Sequence, residues 1–310
     1  MNKKTYLIEK AEKGLTIQQY LKQIAGFSNA QIRSMKFTEN GICLGGQRAR
    51  VTTRLSEGDV LEVLLETKNS SSAHLLSFEQ RPDILYEDAD VIAVNKPAGM
   101  AVHPSHGHYQ DTLANQLAYY FRKNTQQVEI HSIGRLDLET SGIVLFAKHR
   151  AAAARLSRQR EDGRLQKTYL AICSGIFAEK NGTLNGAIAP LPGSLMKMCV
   201  SKDGKPAVTH YQVQKQYMEA ALVQLTLETG RTHQIRVHMA DAGHPLIGDR
   251  LYFADTDQKA DVDAENCFTG IKRAALHASR ICFYQPFEGK RITVEAPFPE
   301  DMKKCLFRDE

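Results

Sequence analysis

The chain has 310 residues, enough for one large domain and a small one, and its 42% hydrophobic and 24% charged residues are ordinary for a globular protein. No apolar run is long enough to span a bilayer and none follows the lysines of MNKKTYLIEK, so neither a membrane protein nor a secreted one is expected, and the cytoplasm is. The six cysteines (Cys43, Cys173, Cys199, Cys267, Cys282, Cys305) form no CxxC pair, which argues against a disulfide framework or a zinc knuckle.

The net charge of +5 is unevenly placed, because residues 1 to 66 carry ten Lys and Arg against seven Asp and Glu. A small basic module on a nearly neutral body suggests a polyanionic partner. Within it, Leu15, Ile17, Tyr20, Leu21 and Ile24 recur at helical spacing, and Ser28 reads as the N-cap of a second helix carrying Ile32 and Met35. The segments GICLGG, RVTTRL and, past Glu57-Gly58-Asp59, VLEVLLE then read as strands. A serine-rich linker at 67–74 separates a first domain, 1–70, from a second, 75–310.

In the second domain, DILYEDADVIAVNK reads as two strands around an acidic turn. Asp111 is expected to cap a helix whose apolar face holds Leu113, Leu117 and Phe121. IVLFAK is a strand and the Ala-rich run after His149 a helix. KTYLAICSG, THYQVQKQY and AALVQLTLET are strands, the last two paired. TGRTHQIRVHMADAG is a turn and a helix beginning near Thr232, Asp255 to Gly270 a loop, and LHASRICFY and RITVEAP late strands. Strands outnumber helices without regular alternation, so the fold class is α+β with a mainly antiparallel mixed sheet, preceded by a small N-terminal α/β domain.

Three stretches carry chemistry. In GRLDLETSG, small polar residues feed a buried strand, which holds side chains firmly at a sheet margin. Arg135 and Asp137 alternate with Leu136 and Leu138, so the polar pair shares one face and the leucines anchor the other. A surface Arg/Asp pair beside a turn is the plain alternative. In GRTHQIRVH, Arg231, His233, Arg236 and His238 crowd a helix start, where they can hold a phosphate or neutralise a buried carboxylate. The third stretch, NKPAG followed by His103, His106 and His108, lacks a carboxylate or cysteine at ligand spacing and reads as a loop.

These stretches together resemble the RluA/RluD-type pseudouridine synthases. NKPAG with AVHPS is similar to the family's first motif, GRLDLETSG to its catalytic motif, KTYLA to its tyrosine motif and GRTHQIRVHMADAGHPLIGD to its third. The matches run in order from about residue 83 to 297. The N-terminal residues resemble, more loosely, the RNA-binding module of ribosomal protein S-four.

The resemblance implies that Asp137 is the catalytic aspartate. It also implies that Arg135 fills the place of the flipped-out uridine, that Tyr169 packs on the uracil and helps remove a proton, and that Arg236 pairs with Asp137. Arg231, Lys96, Arg33 and Lys36 are further candidates for RNA contact, as is Lys167, and Glu139 is expected to be a surface or loop-capping residue. The family has His before its Arg-Leu-Asp, whereas this chain has Gly134, a change expected to alter the loop's stiffness or its contact with RNA.

The implied reaction needs no cofactor or metal, since no redox change occurs and no external group is added. A carboxylate can attack a carbon, stabilise positive charge at the sugar or remove a sugar proton, and the sequence does not choose among these. The implied partner is RNA, ribosomal in preference to transfer RNA, with no membrane and a monomeric enzyme. Two other readings are a catalytically inactive RNA-binding or ribosome-associated protein of the same fold, and a glycoside hydrolase using Asp137 and Glu139. The second fits poorly with a chain that has no tryptophan for a sugar platform.

Overall fold

Two capping boxes begin the N-terminal helices. Thr16 and Ser28 each accept a hydrogen bond from the backbone N–H three residues on, at 3.2 Å, and Gln19 and Gln31 reach back to the cap N–H groups. Each cap is worth about 1 kcal/mol. They open α1 (Ile17–Gln23) and α2 (Asn29–Phe37), which bury Ile17, Tyr20, Leu21, Ile32 and Met35.

Residues 3–65, 75–105, 107–126, 128–194, 196–253 and 271–306 are described by this computed structural model. The expected linker at 67–74 and the loop from Asp255 to Gly270 lie outside them.

The helices pack on a sheet of β1 (Lys3–Leu7), β2 (Ile42–Leu44), β3 (Gln47–Arg48) and β4 (Val60–Leu64), ordered β1-β4-β2-β3. RVTTRL is not a strand. The Thr53 and Val51 carbonyls accept the Ile17 and Gln18 N–H groups at 2.9 Å, satisfying donors that the first turn of α1 leaves open. The Lys3–Leu7 strand was not anticipated, because its alternation is hidden among lysines.

The larger unit is built on β5 (Asp83–Glu87), β6 (Val91–Lys96), β7 (His131–Ser132), β8 (Ser141–Ala147), β9 (Gln166–Ser174), β10 (Asn181–Leu184), β13 (Thr209–Gln216), β14 (Ala220–Leu227), β15 (Leu276–Tyr284) and β16 (Arg291–Glu295). A separate pair, β11 (Ile188–Pro190) and β12 (Met198–Val200), lies apart. The main order is β10-β13-β14-β9-β15-β8-β6-β5, with β16 on β15 and β7 on β8. Only β15 and β8 are parallel among the described pairs. The helices are α3 (Leu113–Lys123), α4 (Arg150–Glu161), α5 (Gln234–Asp241) and α6 (Glu300–Leu306).

All seven residues of β8 are buried. Val144 and Phe146 join the core under α3, with Leu113, Leu117 and Phe121, while Ile143 and Leu145 join that under α4, with Ala152 and Leu156. Two covered faces explain why this strand is continuously apolar. The cap of α3 is Thr112, not Asp111, whose carboxylate instead meets His108 at 2.7 Å.

The N-terminal unit rests on α4 and the turn after β15. Arg155 lies 4.1 Å from the Phe287 ring centre and 5.3 Å from that of Phe27, and Lys4 reaches Asp90 at 3.7 Å. None of the described helices is long and apolar enough to cross a membrane.

Candidate active site

Gly142 decides where the GRLDLETSG loop sits. It pairs with Ala278 at the start of the parallel ladder, at φ +106°, and a Cβ there would come within 2.3 Å of the Ala278 carbonyl oxygen. Only glycine permits this approach. The residues before it are held at the sheet margin, where Thr140 N–H closes a turn onto the Asp137 carbonyl at 3.1 Å.

A second clamp comes from NKPAG. The Leu138 carbonyl accepts from Lys96 Nζ at 3.1 Å and from Gly99 N–H at 2.8 Å. Lys96 also donates to the carbonyls of Pro97 at 3.0 Å and Met100 at 2.8 Å, so its three protons meet three acceptors. The side chain is 0% exposed, which corrects the expectation of a phosphate contact: Lys96 ties two loops together from beneath. Burial pulls its ammonium down to about 7, with Asp137 opposing the fall and Arg273 adding to it. Leu136 is buried as expected, but Leu138 is 42% exposed, so here the backbone and not the side chain is the anchor.

Asp137 is half-buried, and among the described residues no side chain hydrogen-bonds its carboxylate. Its charge is nonetheless felt by Lys96, Tyr169, His233, Arg236 and Tyr252, which marks these as its surroundings. Tyr169 stands on β9 with 7% exposure. Burial first, and then the Asp137 charge, push its phenol above the ordinary tyrosine range. A phenol so placed keeps its proton, which disfavours the proton-removing role and leaves the ring as a packing surface.

Arg236 departs from expectation in its partner. It is buried, and its Nε and Nη2 form a two-pronged pair with Asp249 at 2.6 and 2.7 Å. Glu139 is 3.6 Å away, and Asp137 interacts only electrostatically. Burial lowers the guanidinium pKa, but the Asp249 hydrogen bonds and charge outweigh it and the net shift is upward. Arg236 is thus a fixed cation beside Asp137, aimed by Asp249, which also accepts the Leu251 N–H at 3.1 Å and holds that turn.

The helix carrying Arg236 starts at Gln234, within two residues of the expected start near Thr232. His233, at φ +56°, turns the chain into it and bonds Tyr252 Oη through Nδ1 at 2.8 Å. His238 is buried between Thr209 Oγ1 and the Gly186 carbonyl, so of this cluster only Arg231 is exposed. The phosphate reading of the cluster as a whole therefore fails. Arg135, Arg33 and Lys36 are exposed as an RNA contact requires, but the last two lie in the N-terminal unit.

Three contributors were not anticipated. Arg273 donates to the carbonyls of Glu139 at 3.2 Å and Leu276 at 3.1 Å, and is itself held by Asp301 at 2.7 Å. Ser141 Oγ pairs with His277 Nδ1 at 2.9 Å, stitching the loop's exit to β15. Tyr252 sets its ring against Arg236, 5.2 Å from centre to guanidinium carbon. No linear spacing marks these residues. Glu139 accepts the Ala274 N–H at 3.3 Å, a loop-tying role in line with expectation.

Residues 90–241 match the RNA pseudouridylate synthase family. The chain is 39% identical over 251 residues to an uncharacterised RNA pseudouridine synthase of Bacillus subtilis, YhcT, covering 80% of this chain and 78% of that one. It is 38% identical over 267 residues to the ribosomal large subunit pseudouridine synthase D of Neisseria meningitidis serogroup A, covering 85% and 67%. Among solved structures, human RNA pseudouridylate synthase domain containing 1 superposes with a TM-score of 0.57 at 28% identity, over 73% of this chain and 87% of that one.

Proposed function

The chain belongs to the RluA/RluD-type RNA pseudouridine synthases, isomerases acting on RNA, and from that we propose that Asp137 carries the reaction on uridines of ribosomal RNA. The observation that carries this reading is a half-buried carboxylate on a doubly clamped loop, with the Tyr169 phenol and the Arg236 guanidinium in its field.

In the reaction the N1–C1′ bond of the nucleotide breaks, the uracil turns and C5 bonds to C1′. The proton on C5 leaves and N1 regains one, so no electrons or external groups are exchanged. Asp137 acts at the sugar while Arg236, immobilised by Asp249, offers it a fixed positive charge from below the surface. Tyr169 underlies the turning base. Arg135, exposed on the same loop, enters the stack as the uridine leaves it and offsets an extrusion cost of a few kcal/mol. Lys96, Gly99 and Arg273 hold the loop and touch no substrate.

The 3–65 unit serves as an S-four-like RNA-binding domain, reading structured RNA through Arg33 and Lys36 on α2, and Arg231 adds a contact on the body. Its neighbour named as a ribosomal large subunit enzyme supports ribosomal RNA as substrate. The enzyme works as a monomer in the cytoplasm. The test is to incubate it with ribosomal and transfer RNA from cells lacking its gene and to map new pseudouridines by carbodiimide-dependent primer-extension stops. New stops in large-subunit RNA are expected. Stops confined to transfer RNA would overturn the substrate, and none in either would overturn the reading.

A further inference from the structure

Two cations left out of the site so far converge beside its loop. A Cβ placed on Gly134 would lie 3.6 Å from Arg160 Nη1 and 3.9 Å from Lys167 Nζ. The two nitrogens are therefore no more than 7.5 Å apart. The connection explains their meeting: α4 ends with Arg160 in its last turn, and a short turn through Gly163 starts β9, whose second residue is Lys167. Neither side chain forms an ion pair or hydrogen bond with any described residue.

We propose that Gly134, Arg160 and Lys167 form a binding site for one backbone phosphate of the RNA strand that carries the target uridine. Charge-assisted hydrogen bonds of about 2.8 Å from each cation to different oxygens of one phosphate span the gap. Position supports it. Lys167 and Tyr169 are two apart on a strand and share a face, about 6.7 Å from each other. Gly134 directly precedes Arg135, so the site flanks the nucleotide that Tyr169 and Arg135 handle.

Gly134 has φ +85°, a conformation that disfavours any side chain, and the missing side chain leaves the space between the cations open. Burial, and then repulsion from Arg160, bring the Lys167 ammonium down to about 8. An anion between the two relieves that repulsion. Favourable placement of Arg160 at a helix C-terminus accounts for Arg160 alone, not for a half-buried lysine turned toward it.

The proposal rests on the reading of Asp137 and Tyr169 as the uridine site, and its test separates the two. A stem-loop RNA containing a mapped target uridine is titrated with wild type, Lys167→Gln, Arg160→Gln and the double variant over a range of salt. It is then repeated with a methylphosphonate at each phosphate flanking the target. The double variant is expected to bind about tenfold more weakly, with KM affected more than kcat and a salt slope shallower by about 0.7 to 0.9, the loss of one phosphate contact.

One methylphosphonate should weaken wild type to the same degree yet leave the double variant no weaker than before, and Lys167→Arg should bind like wild type. An unchanged salt slope, or a loss confined to kcat, overturns the site. Methylphosphonate losses that add to those of the double variant overturn it as well. Turnover by Asp137→Asn would overturn the Asp137 reading alone, leaving these binding results to stand or fall separately.

Discussion

Removing Arg236 should uncouple stability from turnover in a way that reveals what the residue does. Its guanidinium is 5% exposed and its partner Asp249 is 0% exposed, so Arg236→Met leaves a carboxylate in the interior without its cation. Breaking a buried pair from one side costs about 3–5 kcal/mol. Asp249 keeps the Leu251 and Tyr252 N–H donors, at 3.1 and 3.3 Å, which places the loss near the lower end. The paired change Arg236→Met with Asp249→Asn removes both charges and keeps an oxygen for those N–H groups, so stability should return to within about 1–2 kcal/mol of wild type. Turnover should not return, because Asp137 still lacks its neighbouring cation, and a loss of about 100-fold is expected in both variants. Urea denaturation gives the first quantity and tritium release from 5-tritiated uridine in RNA the second. If the double variant regained both stability and turnover, Arg236 would be a structural residue only.

Three further outcomes follow from the same contacts. Gly142→Ala sets a methyl 2.3 Å from the Ala278 carbonyl at φ +106°, so it should cost more than about 3 kcal/mol in denaturant titration, whereas Gly142 as the least constrained residue of the loop would lose almost nothing. Gly134→His, at φ +85° with only side-chain atoms near, should cost about 1–2 kcal/mol, and a loss above 3 would mean that the loop is packed more tightly than these contacts indicate. Burial, with Arg273 adding and the Ala296 backbone opposing, lowers His277 to about 4, so the unfolded chain takes up its proton before the native one does. Stability from this group is therefore complete above the unfolded value of about 6.5 and declines as pH falls toward 4, by at most about 1.4 kcal/mol per pH unit. Chemical denaturation between pH 7 and 4 should show a shallower decline in His277→Gln than in wild type, and parallel curves would remove His277 as a source of acid sensitivity.

Local patterns were readable where one element decides the outcome. Ser28 and the α3 face of Leu113, Leu117 and Phe121 obey helix rules that need no distant partner, and the apolar run of β8 announces a buried strand whatever covers it. Arg135, Asp137 and Tyr169 take their expected roles from contiguous motifs that resemble those of the family. What sequence hid are partnerships across the fold. Lys96 lies between a loop-like asparagine and a proline and reads as an RNA contact, yet its acceptors include a carbonyl 42 residues away. The resemblance pairs Arg236 with Asp137, but the bidentate contact goes to Asp249, 13 residues on. Leu138 looked like an anchor by alternation, which a turn at 137–140 interrupts. Arg273 reaches back 134 residues to the Glu139 carbonyl, and no periodicity marks such a tie.

The account turns on one charge at position 137. Asp137→Asn keeps the side chain's size and removes that charge, and its most direct readout is single-turnover conversion of a uridine-containing RNA beside a binding titration of the same RNA. Undetectable pseudouridine with RNA affinity within about threefold of wild type (under 1 kcal/mol) is the result expected. Conversion at a rate close to that of wild type would contradict the account, wherever else in the molecule the RNA is held.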